Sequence, residues 1–368
     1  MKFLILPNSF KGTLSASSFC RIAQKILPDA VSLPISDGGD GALEVFSSFH
    51  KDAKTLHVNA LNALGKNKRA PFLFLKSKKT AVLECAKITP LAGLKKSELD
   101  IINATSFGIG QVIKEAVKKG ARNFFIGLGG VAFNDAGAGM AQALGFELLD
   151  AQNKPLKRGA GALCGLKKIA RAKAKALPKD LKLFALCDVT NPLLGAQGSA
   201  AVYGPQKGAS KQDVKNLERA LTHLSKIVKR DLSVNINCRR CGASGALGAG
   251  LKGFLNAKLL DGASTILRQS GAEQKIKEAY CVIAAEGKLD KLTFYGKAPQ
   301  RVCALAVRHK KPVIFICAVN EIKDKNLLKK HNIVKVIELR PLAKNMRDCK
   351  DNAAKYLKQA LKNVRRDF

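Results

Sequence analysis

Short apolar runs that break into glycine beside Asp, Asn, Lys or Glu, and then into a helical period, recur at both ends of this 368-residue chain. Residues 2–6 read as a strand, residues 7–13 as its loop, and Phe19, Ile22, Ala23 and Ile26 fall on one helix face. Residues 31–35 repeat the strand, Ser36-Asp-Gly-Gly-Asp-Gly41 the loop, and a helix runs to about Phe49. Two such units in succession predict the opening of a parallel α/β sheet. Pro34 confines the second strand to an edge or ends it. Strands at 281–285, 313–319 and 334–339, alternating with helices near 298–308 and 351–364, return to the same pattern. The middle differs. Residues 56–60, 70–75 and 81–85 read as an antiparallel interlude, followed by strands at 124–127 and 181–186. Helices are predicted at 108–117, up to Leu144, and behind the capping-box start Ser210-Lys-Gln-Asp213. The fold class is therefore α/β in two domains: residues 1–62 plus 280–368 form a discontinuous parallel-sheet domain, and a mixed α/β domain, 63–279, interrupts it.

Composition narrows the function classes. No apolar run approaches the roughly 20 residues of a membrane span, and the start breaks at Pro7 before a signal peptide could form. A cytoplasmic protein is the expectation. The balance of 64 Lys+Arg against 28 Asp+Glu gives a net charge of +36, which invites a nucleic-acid reading. The basic residues are spread over the whole chain with no aromatic-interleaved block, so a nucleic-acid partner is disfavoured. Most of the ten cysteines sit inside apolar patterns; Cys238-Arg-Arg-Cys241 is the exception, with weak zinc and redox readings. The five histidines show no metal spacing.

The strand ends carry the chemistry. Asn8, Ser9 and Lys11, Asp37 and Asp40, Asn134 and Asp135, Asp188 and Asn191, Lys207, and Glu286, Asp290 and Lys297 all lie in or beside such loops. Ligands bind at the carboxyl ends of open α/β sheets. Gly38, Gly39 and Gly41 admit positive φ and close approach of a phosphate, while two acids in the same turn call for Mg²⁺ or a proton-handling role. Phosphoryl transfer uses all of these parts. The P-loop spacing, protein-kinase signatures, nucleophile elbow and dinucleotide fingerprint are absent.

Six segments in register resemble the type-1 glycerate kinase family of bacteria. They are residues 7–16, 36–41, 127–139, 187–192 and 202–208, and 286–290 with 296–299. The resemblance implies ATP-dependent phosphorylation of D-glycerate, 2-phosphoglycerate being the favoured product. It also implies a flavodoxin-like domain, an inserted second domain and a site in the cleft between them. On this reading Asp40 or Asp290 is the base, and Lys11 and Lys207 meet the phosphates together with the backbones of Gly38–Gly41, Gly129 and Gly130. Asp37, Asp188 and Glu286 serve Mg²⁺. Ser9, Asn134, Asp135, Asn191 and Lys297 bind substrate or phosphate, and Arg301 clamps the substrate carboxylate. A homodimer is left open.

The chain departs from the family pattern at Asn8, where Asp is usual, and at Val131, Phe133, Ala136, Ala285 and Leu292. Weaker Mg²⁺ affinity is the expectation at Asn8, and an altered acceptor pocket at 131–136. A kinase acting on another small hydroxy acid, or a basic nucleic-acid-binding protein on the same scaffold, are the alternatives.

Overall fold

The computed structural model describes residues 3–171 and 177–367; Lys2, expected to open the first strand, lies outside them. The opening strands are β1 (Phe3–Pro7) and β2 (Val31–Ser32). The middle holds β3 (Ala53–Leu61), β4 (Asn67–Leu75), β5 (Thr80–Glu84), β6 (Asn123–Gly127), β7 (Glu147–Leu149), β8 (Lys168–Ala170), β9 (Lys182–Cys187) and β10 (Lys258–Asp261). The closing strands are β11 (Cys281–Leu289), β12 (Val313–Asn320) and β13 (Ile333–Glu338).

The first sheet has the order β13-β12-β11-β1-β2, and its strands pair in parallel. Counted within this sheet, the order is 2-1-3-4-5, the flavodoxin-like arrangement with its switch point between β1 and β11. Every residue of β1 is buried, as a strand covered on both faces requires. β2 is an edge strand that stops before Pro34, and only the Leu33 and Ile35 amides continue the ladder, donating to the Ile5 and Pro7 carbonyls. The helix Ala16–Ile26 is capped by Ser15 and buries Ala16, Phe19, Cys20 and Ala23 against the sheet's aliphatic core.

The second sheet is mixed, in the order β10-β9-β6-β5-β4-β3. β3, β4 and β5 form the predicted antiparallel interlude, and β5, β6 and β9 are parallel. The long helix Lys211–Leu232 begins in the expected capping box, Ser210 and Asp213 bonding each other's amides, and buries Leu217, Leu221, Leu224 and Val228.

The compact units are Met1–Lys51 with Asp261–Phe368, and Asp52–Leu260. Both boundaries differ from those expected at 62/63 and 279/280. Residues 53–61 pair along the whole of β4, so they belong to the second sheet. The helices Gly262–Gln269 and Ala272–Glu278 belong to the first unit. Glu273 reaches Arg308 at 3.0 Å, and Gly262 lies directly on the backbone of Asp37 and Gly38. A Cβ at Gly262 would fall inside contact distance of the Asp37 carbonyl. Gly262→Ala is expected to cost about 1–3 kcal/mol or more in chemical denaturation. Gly130→Ala, where an added Cβ meets nothing within 4 Å, is expected to be near neutral by the same measurement.

Candidate active site

In the first unit the candidate residues gather at the carboxyl end of the parallel sheet, beside the β1/β11 switch point. Asn8 leaves β1 buried, its amide donating to the Ala285 carbonyl at 2.8 Å. Its side-chain Nδ2 donates to Asp37 Oδ2 at 3.2 Å. Asp37 Oδ1 accepts the Ala298 amide at 2.6 Å, at the first turn of the helix Ala298–Arg308. An anion at a helix N-terminus is favoured by the orphan amides there. Asn8 is thus a neutral donor to Asp37, at a position where an Asp would set two carboxylates side by side.

Glu286, on β11, is buried, and its Oε1 lies 3.6 Å from Lys297 Nζ. Its Oε2 is buried with no hydrogen-bond partner. Burial pushes its carboxyl up; Lys297 opposes this, and the nearby Asp37 charge adds to it. A cavity of about 340 Å³ opens here, lined by Ser9, Lys11, Glu286, Asp290 and Lys297 on its polar side and by Ala318, Val319, Met346 and Ala353 on its apolar side. Two neighbouring carboxylates and an orphaned buried oxygen suit Mg²⁺, which takes one or two protein carboxylates and leaves the rest of its shell to phosphate and water. Among the described residues no three His, Cys, Asp or Glu side chains form a metal cage.

Asp290 and Asp40 part company. Asp290 caps the 3₁₀ turn Lys291–Phe294, accepting the Thr293 amide at 3.1 Å, and lies 3.6 Å from Lys288. Burial raises its carboxyl, but the Thr293 amide, Lys297 and Lys288 outweigh it and hold the group below the usual carboxylate range. Asp40 is exposed, and the helix Ala42–Phe49 is capped by Gly41 with no side-chain bond. Gly38 and Gly41 take φ of 94° and 80°. Gly39, between them, is half-buried. Arg301 is already engaged: its Nη2 donates to Asp261 Oδ2 at 3.0 Å. Nothing in the sequence pattern marked that pair.

The second unit holds a drier group. Asp135 is wholly buried. Its Oδ2 accepts from the Ser106 amide (2.8 Å), Ser106 Oγ (3.0 Å), Gly139 (3.1 Å) and Thr105 Oγ1 (3.3 Å), while Oδ1 accepts from Gly137 (3.1 Å). Burial raises this carboxyl and the donors work against it. Its oxygens organise the loop around it. Asn134 is equally buried; its Oδ1 accepts from Ser199 Oγ at 2.7 Å, and its Nδ2 has no partner. Lys207, also buried, donates from Nζ to the Phe133 carbonyl at 2.6 Å. Burial brings its ammonium down to about 7, against the attraction of Asp135.

The helix Ala243–Leu255 begins with Ser244, Gly245 and Ala246 all left-handed, at φ 55°, 64° and 60°. Non-glycine residues in that region are strained. Gly245 is there because its backbone meets the Phe133 carbonyl and Lys207, and Ser244 Oγ holds the Gly129 carbonyl at 2.9 Å. Gly130 is exposed on the same loop, and its carbonyl accepts the Leu91 amide. Ala136 takes φ 49°, which strains a residue with a Cβ; Val131 and Phe133 are buried core. Asp188 is exposed beyond β9 and raises the Tyr203 hydroxyl, which burial pushes up to about 12. Asn191 accepts from that hydroxyl at 2.8 Å and donates to the Gln197 carbonyl at 2.8 Å, so its amide fixes the loop.

The residues not foreseen are Ser106, Ser199, Ser244 and Asp261. Ser106 had a usable signal, a Thr-Ser pair just before the helix Phe107–Lys118. The others act across long sequence separations and leave no local pattern.

The profile of the glycerate kinase family matches residues 3–368. A protein of Escherichia coli K12 named glycerate 2-kinase is 37% identical, over 86% of this chain and 84% of its own length. One from Halalkalibacterium halodurans named glycerate kinase is 33% identical over 98% and 96%. A crystal structure from Salmonella typhimurium LT2, described as a glycerate kinase 2, superposes with a TM-score of 0.86 at 32% identity, covering 100% of this chain and 98% of that one. Among the described residues no helix is long and apolar enough to cross a membrane.

Lys207 gives a pH signature. Its folded value, about 7, lies below the ordinary 10.5, so between these two the unfolded chain binds more protons and stability rises with pH. Below about 7 both states are charged and the contribution is flat. Across this range the stability of the wild type is expected to rise with pH in denaturation experiments, an increment that Lys207→Met lacks. Parallel profiles would mean that Lys207 is solvated.

Proposed function

Because the chain belongs to the glycerate kinase family, we propose that it transfers the γ-phosphoryl group of ATP to D-glycerate, with 2-phosphoglycerate as the favoured product. The observation that carries this reading furthest is the Ser9, Lys11, Glu286 and Lys297 group lining one cavity beside the switch point of the parallel sheet, with the Asp37 charge near Glu286. Lys11 and Lys297 neutralise phosphate charge, and Ser9 and the Gly38–Gly41 backbone supply donors. Asp37 and Glu286 would hold Mg²⁺, which when bound adds charge neutralisation on the phosphate oxygens. In the second unit the spare donors of Lys207 Nζ and Asn134 Nδ2 suit an anionic group of substrate, carboxylate or phosphate. Asp135 and Asn191 position that loop system rather than touch the ligand. The 2-phosphate preference is supported by the name of the Escherichia coli relative.

Of the two base candidates, Asp40 is favoured. Asp290 already accepts a cap bond and faces two lysines, which makes it a poor proton acceptor. Arg301 stays a carboxylate clamp only if it keeps donors beyond those given to Asp261, and its Nε is buried without a partner.

A coupled ADP-release assay with D-glycerate, L-glycerate, tartronate and no acceptor tests the reading, with ³¹P NMR fixing the product. ADP is expected with D-glycerate; release with none of the acceptors contradicts it. Asp40→Asn is expected to lower kcat by roughly 10²–10⁴-fold, and Asp290→Asn to act mainly on stability. Near-wild-type turnover in folded Asp40→Asn removes Asp40 from the chemistry.

A further inference from the structure

Cys238 and Cys241 have no place in the chemistry above, yet they are built together. The Cys241 amide donates to the Cys238 carbonyl at 3.0 Å, and Arg240 between them takes φ 71°. An i to i+3 bond with positive φ at the third position defines a tight turn, whose end Cα atoms lie within about 7 Å. That is close to the span a disulfide requires. The side chains also converge: the two Sγ atoms are 2.9 Å apart, and both thiols are free. A disulfide needs about 2.05 Å, so closure asks for less than about 1 Å of movement. Among the described residues no further His, Asp or Glu completes a metal site here.

The turn is tied to the candidate site on two sides. The Arg240 amide donates to the Thr190 carbonyl at 3.2 Å and the Gly242 amide to the Asn191 carbonyl at 3.0 Å, which fixes the loop carrying Asp188 and Asn191. The Ala249 amide donates to the Cys241 carbonyl at 3.1 Å, within the helix whose left-handed start meets Gly129, Phe133 and Lys207.

We propose that Cys238 and Cys241 are a reversible dithiol–disulfide pair, taking a low-molecular-weight disulfide as oxidant, and that its state sets the geometry of the 188–191 loop and the 244–246 turn. Cys238 is half-buried and Cys241 buried, so Cys238 is the entry sulfur. Its thiolate attacks one sulfur of the oxidant, forming a mixed disulfide and expelling one thiolate, which takes up the Cys238 proton. Cys241, whose thiol burial pushes up, then loses its proton and displaces the second thiolate. The two protein sulfurs are oxidised by two electrons and the oxidant leaves as two thiols.

The test uses the full chain, incubated with glutathione disulfide or with dithiothreitol, then alkylated and weighed intact. Of the ten cysteines, oxidised protein is expected to lose two alkylation sites, mapped to the peptide containing 238 and 241 and restored by dithiothreitol. Cys241→Ser is expected to stop at a mixed disulfide on Cys238. Full alkylation at both positions, or mixed disulfides at both, overturns the pair. In the ADP assay the oxidised wild type is expected to turn over at least about fivefold more slowly, the low end of ordinary coupling between sites. Cys238→Ser is expected to lose this response, and equal rates for both wild-type forms overturn the coupling. The mass readout does not depend on the acceptor; only the rate readout rests on the proposed function.

Discussion

The Asp37 carboxylate joins three parts of the first unit that the sequence keeps far apart. One oxygen accepts from Asn8 at the end of β1, the other from the Ala298 amide 261 residues further on. Gly262 lies against its main-chain carbonyl. A charged group with defined donors on both oxygens fixes direction as well as distance, because a hydrogen bond to an anion is costly to lose. Glu286 and Lys297 take their places from this junction: Lys297 is the cap residue of the helix whose first amide Asp37 holds. The glycine loop is therefore a structural clamp first, and its second acid, Asp40, is left outside the clamp with its oxygens uncommitted.

The two units solve the burial of charge differently. In the first, the acids stay beside lysines at an open cavity, and one oxygen of Glu286 is left without a partner. In the second, Asp135 takes donors on both oxygens, while Lys207 and Asn134 keep unfilled ones. Asp135, dry and holding five donors, is scaffold, whereas half-buried Asp37 takes one donor on each oxygen and keeps lone pairs for a ligand. The +36 net charge is a surface property of the whole chain and adds only a general attraction for anions.

The sequence made the strand-end loops visible because glycine next to an acid after an apolar run is a local signal. Asp37, Asn134 and Glu286 were found that way, and the parallel pairing of β1, β11 and β12 followed from the repeat of the pattern at both ends. What stayed hidden was pairwise and distant. Asp261 faces Arg301, and Ser199 faces Asn134 across 65 residues, with no period to betray either. The division of the chain at Lys51/Asp52 and Leu260/Asp261 has no local signal either. β3 reads as a strand on either side of the division, and only its register with β4 assigns it. The left-handed Ser244 and Ala246 run against residue preference altogether, which is where local reasoning fails at strained positions.

Glu286 Oε2 is a buried carboxyl oxygen with no hydrogen-bond partner, and the proposed metal–nucleotide site stands or falls with it. Calorimetric titration of ADP, with and without Mg²⁺, into wild type and Glu286→Gln measures this directly. Mg²⁺ is predicted to tighten ADP binding to the wild type by roughly tenfold or more, and Glu286→Gln to lose most of that gain while staying folded. The same Mg²⁺ dependence in both proteins would place the metal–nucleotide elsewhere and contradict the account.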